Sequence, residues 1–237
     1  MFGDHFFDPS LLTVRIPAFL FALTIHEYMH GWTAYKLGDD TAKLMGRLTL
    51  NPISHLDAVG TILMIVVGFG WAKPVPVNFA RFRSPRRDTI LVSLAGPLTN
   101  LVAACFFGFA LRLGGLALVG VEDELSPVVG WLLSFACLSI MLNSILAAFN
   151  ILPIPPLDGS KLLISLFPRR GWEIRMAKWE AYGPLVLFLL LAWDRMGHSA
   201  GPLGWYLWTV SDIFGSLFSG MNAMQLWNAS ISLLGGP

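Results

Sequence analysis

A histidine–glutamate–histidine motif lies inside a long apolar run, and this combination limits the folds open to the chain more than any other feature. Residues 11–37 are apolar and long enough to form a helix that crosses a bilayer, which takes about 20 residues. Residues 26–30 of this run read His-Glu-Tyr-Met-His. Ionisable groups at membrane depth are costly, and they are candidates for a functional site by default.

The spacing of the motif indicates a metal site. His26 and His30 are four residues apart and therefore share one face of a helix, where both imidazoles could bind one metal ion. Glu27 follows the first histidine and could act on a water molecule as a general base. The alternative is a pair of hydrogen-bonded core histidines. Because such a pair has little structural purpose in lipid, we favour the metal site.

The composition is that of a polytopic membrane protein. Of the 237 residues, 55% are hydrophobic and only 13% are charged, about half the usual charged share of a soluble domain. No segment is long and polar enough to form a soluble domain. The net charge of +1 gives no indication of a nucleic-acid partner. Cys105 and Cys137 both lie in apolar runs, which favours a role in packing over a disulfide.

The chain predicts an all-α fold with about five to six transmembrane helices, a re-entrant loop and a short β element. The further apolar spans are residues 89–119, 127–152, 183–196 and 203–221. As a helix, residues 58–71 would measure about 21 Å, against about 30 Å of hydrocarbon. Basic residues flank this segment on both sides, so the positive-inside rule predicts that it enters and leaves on the cytoplasmic side. Residues 43–50 could form a strand nearby.

A catalytic zinc takes three protein ligands, and the sequence offers three candidates for the third one. Asp158 lies in a proline-broken stretch at membrane depth, where a positive partner would explain a carboxylate. A turn at Asp158-Gly159 is the alternative. His55 and Asp57 follow a turn signal, and a helix cap or a buried hydrogen bond would explain them equally well.

Three segments resemble, in order, the motif regions of the site-2 protease family, which are intramembrane zinc metalloproteases. They are residues 26–30, residues 96–100 (Gly-Pro-Leu-Thr-Asn) and residues 150–159 (Asn-Ile-Leu-Pro-Ile-Pro-Pro-Leu-Asp-Gly). The resemblance covers residues 11 to about 166. It implies one zinc ion bound by His26, His30 and Asp158, with Glu27 as the catalytic base and Asn150 holding the substrate or the developing oxyanion.

Residues 69–78 look like the membrane re-entrant loop of the family, which engages an extended substrate. The candidate substrate-binding residues are Trp71, Lys73, Val75, Val77 and Asn78. His55 and Asn100 are candidates to support the ligands by hydrogen bonding. The sequence predicts one integral membrane domain over residues 1–237, with a catalytic core at about 11–167 and a helical pair at about 179–221.

The predicted function is hydrolysis of peptide bonds within or next to transmembrane segments of membrane proteins. The partners would be a transmembrane substrate and the lipid bilayer; the sequence does not indicate an oligomeric state. We expect a bacterial inner membrane location, with the active site toward the cytoplasm. The alternatives are a membrane metal-ion transporter and a non-catalytic scaffold. The chain lacks the inserted PDZ domain of larger family members and has an additional segment at 52–67, so substrate selection is open.

Overall fold

A computed structural model of the chain describes residues 9–61, 71–118, 126–167, 172–196 and 201–234. Regular structure in these ranges is helical, and the β contacts are limited to one isolated bridge. The helices are α1 (Pro9–Lys36), α2 (Thr41–Leu44), α3 (Pro85–Leu118), α4 (Pro127–Asn150), α5 (Asp158–Leu166), α6 (Trp172–Met196), α7 (Pro202–Ser219) and α8 (Ala223–Ser232). Short 3-10 turns occur at Pro52–His55 and Phe79–Arg81.

The three longest predicted spans are confirmed as helices. Within the described ranges, α1, α4 and the stretch Pro85–Gly114 of α3 are long and apolar enough to cross a membrane. In α6, the apolar part Ala181–Asp194 is shorter. The protein is therefore an integral membrane protein whose described ranges are helical in their regular structure and include three candidate spans; a count of five to six spans is not confirmed.

Helix ends follow local sequence signals. Helix α1 stops where Gly38 takes a φ of +108°, a left-handed conformation that glycine adopts without strain. The main-chain N–H of Asp39 then donates to the Ala34 carbonyl at 2.9 Å, which satisfies one of the last helical acceptors. Ser126 caps the start of helix α4, and its hydroxyl accepts from the Val129 N–H at 3.4 Å.

Helices α1, α3 and α4 pack against one another, and they form the centre of the molecule. Helix α5 packs on α3, while α7 lies against both α3 and α4. A hydrophobic core joins the first half of α1 to α4 and α8 through Leu11, Val14, Ala18, Leu138, Ile140 and Leu226. Because the first half of α1 is fixed in this way, its second half presents the histidine motif toward α3 and α5.

The predicted strand at residues 43–50 is wrong. Its first residues belong to the one-turn helix α2, because the Asp39 carboxylate accepts from the Thr41 N–H at 3.1 Å and favours a helical turn there. Gly46 then reverses the chain with a φ of +67°.

Most of the predicted re-entrant segment, residues 62–70, lies outside the described residues. The residues on either side of it lie next to each other. Leu56 and Ala72 form an antiparallel bridge, and the Lys73 N–H donates to the His55 carbonyl at 2.9 Å.

Candidate metal centre

Two histidines of α1 and the first residue of α5 converge on one point. The Nε2 atoms of His26 and His30 are 3.0 Å apart, and they lie 3.3 Å and 2.9 Å from Oδ2 of Asp158. The two histidines reach this point from adjacent turns of α1, and Asp158 reaches it because the proline-rich stretch before α5 ends there. All three side chains are buried. Of the three candidates for the third ligand, the structure therefore brings Asp158 to the histidines.

Each imidazole is oriented through its other nitrogen. Nδ1 of His30 donates to the Val92 carbonyl at 2.7 Å, since a carbonyl can only accept. Nδ1 of His26 lies 2.6 Å from Oδ1 of Asn100. The Asn100 amide nitrogen already donates to the Ala22 carbonyl at 3.0 Å and to Oδ1 of Asn143 at 2.8 Å, so its oxygen faces His26. Both Nδ1 atoms therefore carry the proton.

These hydrogen bonds determine what the centre can bind. With both protons on Nδ1, the two Nε2 atoms direct lone pairs at each other and at the Asp158 carboxylate. Three electron-rich atoms this close repel one another unless a cation lies among them. Two imidazoles and one carboxylate are a ligand set that zinc uses in catalytic sites, which keep one position for water. The residues present therefore fit a zinc ion.

Gly96 of α3 lets the two helices approach at this centre. A Cβ atom at this position would lie 2.5 Å from Nε2 of His30 and 2.6 Å from Cε1 of His26, far inside van der Waals contact. Any side chain at residue 96 would displace the imidazoles. The glycine of the Gly-Pro-Leu-Thr-Asn motif therefore serves close packing, and its asparagine orients His26.

A cavity of about 300 Å³ opens beside the three ligand atoms. Glu27 lines it, and Oε2 of Glu27 accepts from the main-chain N–H of Val75 at 2.8 Å. Asn150 lines it from the end of α4, with its amide donating to the Leu146 carbonyl at 3.0 Å. Lys161 lines it from α5, with Nζ 3.4 Å from Oδ1 of Asp158.

Comparison with known proteins agrees with this chemistry. Residues 112–192 match the model of Peptidase family M50. The chain is 44% identical over 204 residues to the Bacillus subtilis protein named "Putative zinc metalloprotease YwhC", which covers 86% of this chain and 88% of the relative. The same description is given to Rip2 of Mycobacterium tuberculosis, strain H37Rv, which is 32% identical over 202 residues, or 83% of this chain and 73% of the relative. It is also given to MJ0611 of Methanocaldococcus jannaschii, 34% identical over 141 residues, or 58% of this chain and 62% of the relative. No solved structure matches significantly.

The chain belongs to peptidase family M50, the site-2 proteases. The predicted family is confirmed, and with it a membrane zinc metalloprotease. Zinc as the cofactor is supported both by the family and by the cluster of His26, His30 and Asp158.

Of the residues predicted to bind substrate, the structure brings two to the cavity of this M50 protein. Val75 and Val77 line it. Trp71 and Lys73 do not line it, and Trp71 is half exposed. The side chain of Asn78 accepts from the Ala80 N–H at 3.1 Å and caps a 3-10 turn.

The structure gives His55 and Asp57 local roles. His55 is fully buried, and its Nε2 donates to the Thr49 carbonyl at 2.8 Å. Asp57 accepts from the Gly60 N–H at 2.9 Å. Neither lines the cavity, so the prediction that His55 supports the metal ligands is not met by the described contacts.

Sequence reasoning missed three parts of the site. The Val92 carbonyl that orients His30 is a main-chain group and leaves no signal in the sequence. Asn143 was visible as a polar residue in an apolar span, yet only the structure connects it to Asn100. Lys161 follows the Asp-Gly pair by two residues, and helical spacing could have placed it beside Asp158.

Proposed function

We propose that this chain hydrolyses a peptide bond within or next to a transmembrane segment of a membrane protein. The observation that carries the proposal is the convergence of His26, His30 and Asp158 at a cavity that Glu27 also lines. We assign these three residues as the zinc ligands. When bound there, zinc supplies a Lewis acid that polarises the scissile carbonyl and lowers the pKa of a water molecule.

Glu27 would act as the general base. One oxygen of its carboxylate accepts from the Val75 N–H, which leaves the other available to take a proton from the attacking water. As the water oxygen bonds to the carbonyl carbon and the C–N bond breaks, the same carboxylate would return the proton to the leaving amine. Asn150, on the cavity wall, would donate to the oxygen of the scissile carbonyl as negative charge develops on it.

The substrate must be extended at the point of attack, because a helix keeps its carbonyls in hydrogen bonds. Val77 could hold it, since neither its N–H nor its carbonyl has a hydrogen-bond partner among the described residues. Pairing with this unpaired main chain would be a short form of strand addition. Pro74 and Pro76 restrict the pairing because neither can donate.

The proposal includes a topology. The count of five to six spans, the location in a bacterial inner membrane and an active site toward the cytoplasm come from the apolar runs and the basic flanks of residues 58–71. The pairing of Leu56 with Ala72 supports a segment that begins and ends on one side. We also propose that residues 1–237 act as one domain.

The test compares the membrane proteomes of cells that carry the wild type, Glu27→Gln or Asp158→Ala. We expect a single-pass membrane protein to accumulate uncut in both variants, while Glu27→Gln still binds zinc. Cleavage that continues in either variant would contradict the proposal. Zinc transport by the wild type would favour the transporter alternative, which the family does not support.

A further inference from the structure

A fully buried carboxylate follows the catalytic helix. Asp39 lies three residues beyond the end of α1, and none of its surface is exposed. A charge in such a place is costly unless hydrogen bonds satisfy it. Its Oδ1 accepts from the N–H of Thr41 at 3.1 Å and from the hydroxyl of the same residue. Its Oδ2 accepts from the main-chain N–H of Asn78 at 2.7 Å.

The contact with Asn78 reaches a segment that also holds Glu27. Three residues before Asn78, the N–H of Val75 donates to Oε2 of Glu27 at 2.8 Å. The two carboxylates thus bind two main-chain donors of one short stretch. Glu27 lies in the second half of α1, and Asp39 lies just beyond the end of that helix. At Gly31, a Cβ atom would lie 3.0 Å from Cγ1 of Val75, so the stretch lies directly against α1.

Several features of residues 73–78 let a contact at one end of the segment fix the position of the other end. Pro74 and Pro76 flank Val75 and restrict the backbone to extended conformations. Arg47 donates to the Lys73 carbonyl at 2.8 Å and secures the far end. Between these points, Val77 packs against a small buried cluster. A carboxylate that holds Asn78 therefore helps to place the N–H of Val75.

We propose that Asp39 is a positioning residue for the catalytic base. By holding the N–H of Asn78, Asp39 keeps residues 75–78 against α1, and the N–H of Val75 in turn orients the Glu27 carboxylate toward the attacking water. The inference rests on the proposed role of Glu27, and it assigns a function to a carboxylate that touches neither metal nor substrate.

The first experiment is Asp39→Asn, assayed on a reconstituted single-pass substrate with rates expressed per mole of folded, zinc-loaded enzyme. Thr41 supplies two donors to one oxygen position, so the asparagine oxygen should stay there and its NH2 group should face the N–H of Asn78. We expect kcat to fall about 10- to 100-fold, the range for misplacement of a catalytic group by about 1 Å, and KM to change less than about threefold.

Two neighbouring substitutions are matched controls. Asp40→Asn removes the same charge from the next residue, whose exposed ion pair with Arg81 contributes little. Thr41→Val removes the hydroxyl donor to Asp39 and leaves the bond to Asn78. Both variants should keep kcat within about threefold of the wild type. If Thr41→Val lowers kcat as much as Asp39→Asn does, Asp39 acts only by capping the turn at Thr41, and the proposal is overturned.

Val75→Pro tests the other end of the path. The substitution removes the N–H that binds Glu27 and retains extended backbone. It should lower kcat as Asp39→Asn does. The double variant should lose no more activity than the more impaired of the two single variants. If the two losses multiply, the residues act independently and the proposal is wrong. The proposal is also overturned if Asp39→Asn raises only KM, or if it changes only the yield of folded protein.

A cross-link measures the position of the segment without catalysis. In a chain whose Cys105 and Cys137 are alanine, Gly31→Cys and Val75→Cys should oxidise to a disulfide, and adding Asp39→Asn should slow the reaction. An unchanged oxidation rate would refute the positioning role. If Glu27→Gln cleaves substrate at the wild-type rate, the proposed function fails, while slower cross-linking with Asp39→Asn would still support the contact between Asp39 and the segment.

Discussion

At the scale of single residues, the metal centre depends on a position with no side chain. Gly96 faces both imidazoles, and a Cβ atom there would overlap Nε2 of His30 at 2.5 Å. We expect Gly96→Ala to displace the ligands and to lower zinc affinity about 10- to 100-fold or more, with a similar loss of cleavage. Zinc content after dialysis against a chelator series measures the effect.

The same helix offers a control for that substitution. At Gly114 the nearest atom to a new Cβ is Cδ2 of Leu133 at 4.0 Å, an ordinary contact distance. Gly114→Ala should therefore retain zinc and activity, and a better helix former there can only favour α3. Equal zinc affinity in the two variants would refute the role given to Gly96.

Asn100 is the second residue on which the centre depends. Asn100→Ala removes the acceptor of the His26 Nδ1 proton and leaves the imidazole free to turn or change tautomer. We expect zinc affinity to fall about 10- to 100-fold, with the helical circular dichroism unchanged. Thr99→Val is the control, because the Thr99 hydroxyl donates only to the Ala95 carbonyl of its own helix. An unchanged zinc affinity in Asn100→Ala would contradict the assignment.

At the scale of elements, helix α5 carries Asp158 and is fixed at its other end by α3. Arg86 donates from Nε to the Ser165 carbonyl at 2.6 Å and from Nη2 to the Leu166 carbonyl at 2.9 Å. A cation at a helix C-terminus is favourable because it meets the negative end of the dipole and unpaired carbonyls. The position of Asp158, the proposed third zinc ligand, therefore depends on a basic residue outside the cavity.

Removing this contact should destabilise the protein measurably. We expect Arg86→Gln to lower the free energy of unfolding in detergent by about 1 kcal/mol, as a thermal shift or a denaturant midpoint would record. The neighbouring variant Arg87→Gln should leave stability within about 0.5 kcal/mol of the wild type, because Arg87 is exposed and has no partner among the residues that the structure describes. The reverse order of the two variants would contradict the prediction.

The sequence predicted the elements unevenly, and the reasons are physical. Residues 26–30 could be assigned because helical spacing alone places His26 beside His30. Asp158 has no spacing relation to them. Its place in a proline-broken stretch at membrane depth favoured it over His55 and Asp57, and the family resemblance then implied it as the third ligand. The strand at 43–50 failed because the Asp39 side chain accepts from the Thr41 N–H and favours a turn there, and Gly46 then takes a positive φ, which interrupts an extended chain.

At the scale of the whole molecule, the fold class was predictable because lipid accepts few backbone arrangements. An apolar run of sufficient length in such a composition predicts a helix with high reliability. The relative placement of helices is a different matter, since it depends on small residues such as Gly96 and on polar pairs such as Asn100 with Asn143. Neither kind of contact has a periodicity that a sequence reveals.

For α3 and α4, the proposed orientation in the membrane predicts which helix ends an impermeant reagent can reach from each side. In a chain with both native cysteines replaced by alanine, Arg83→Cys should react with an impermeant maleimide only in inside-out vesicles. Ser126→Cys should react only in right-side-out vesicles, because α3 separates the two positions. Labelling of both from the same side would contradict a crossing by α3, and the reverse pattern would invert the topology.

The two histidines are oriented by partners of different kinds, and the difference has a genetic consequence. His30 is oriented by the carbonyl of Val92, a group that every amino acid at position 92 would supply. His26 is oriented by the side chain of Asn100, which one nucleotide change can remove. Position 92 can therefore change among residues that fit its buried site without losing this hydrogen bond, while position 100 cannot. A substitution at position 100 can thus remove one of the two orienting hydrogen bonds, whereas a substitution at position 92 acts through packing alone.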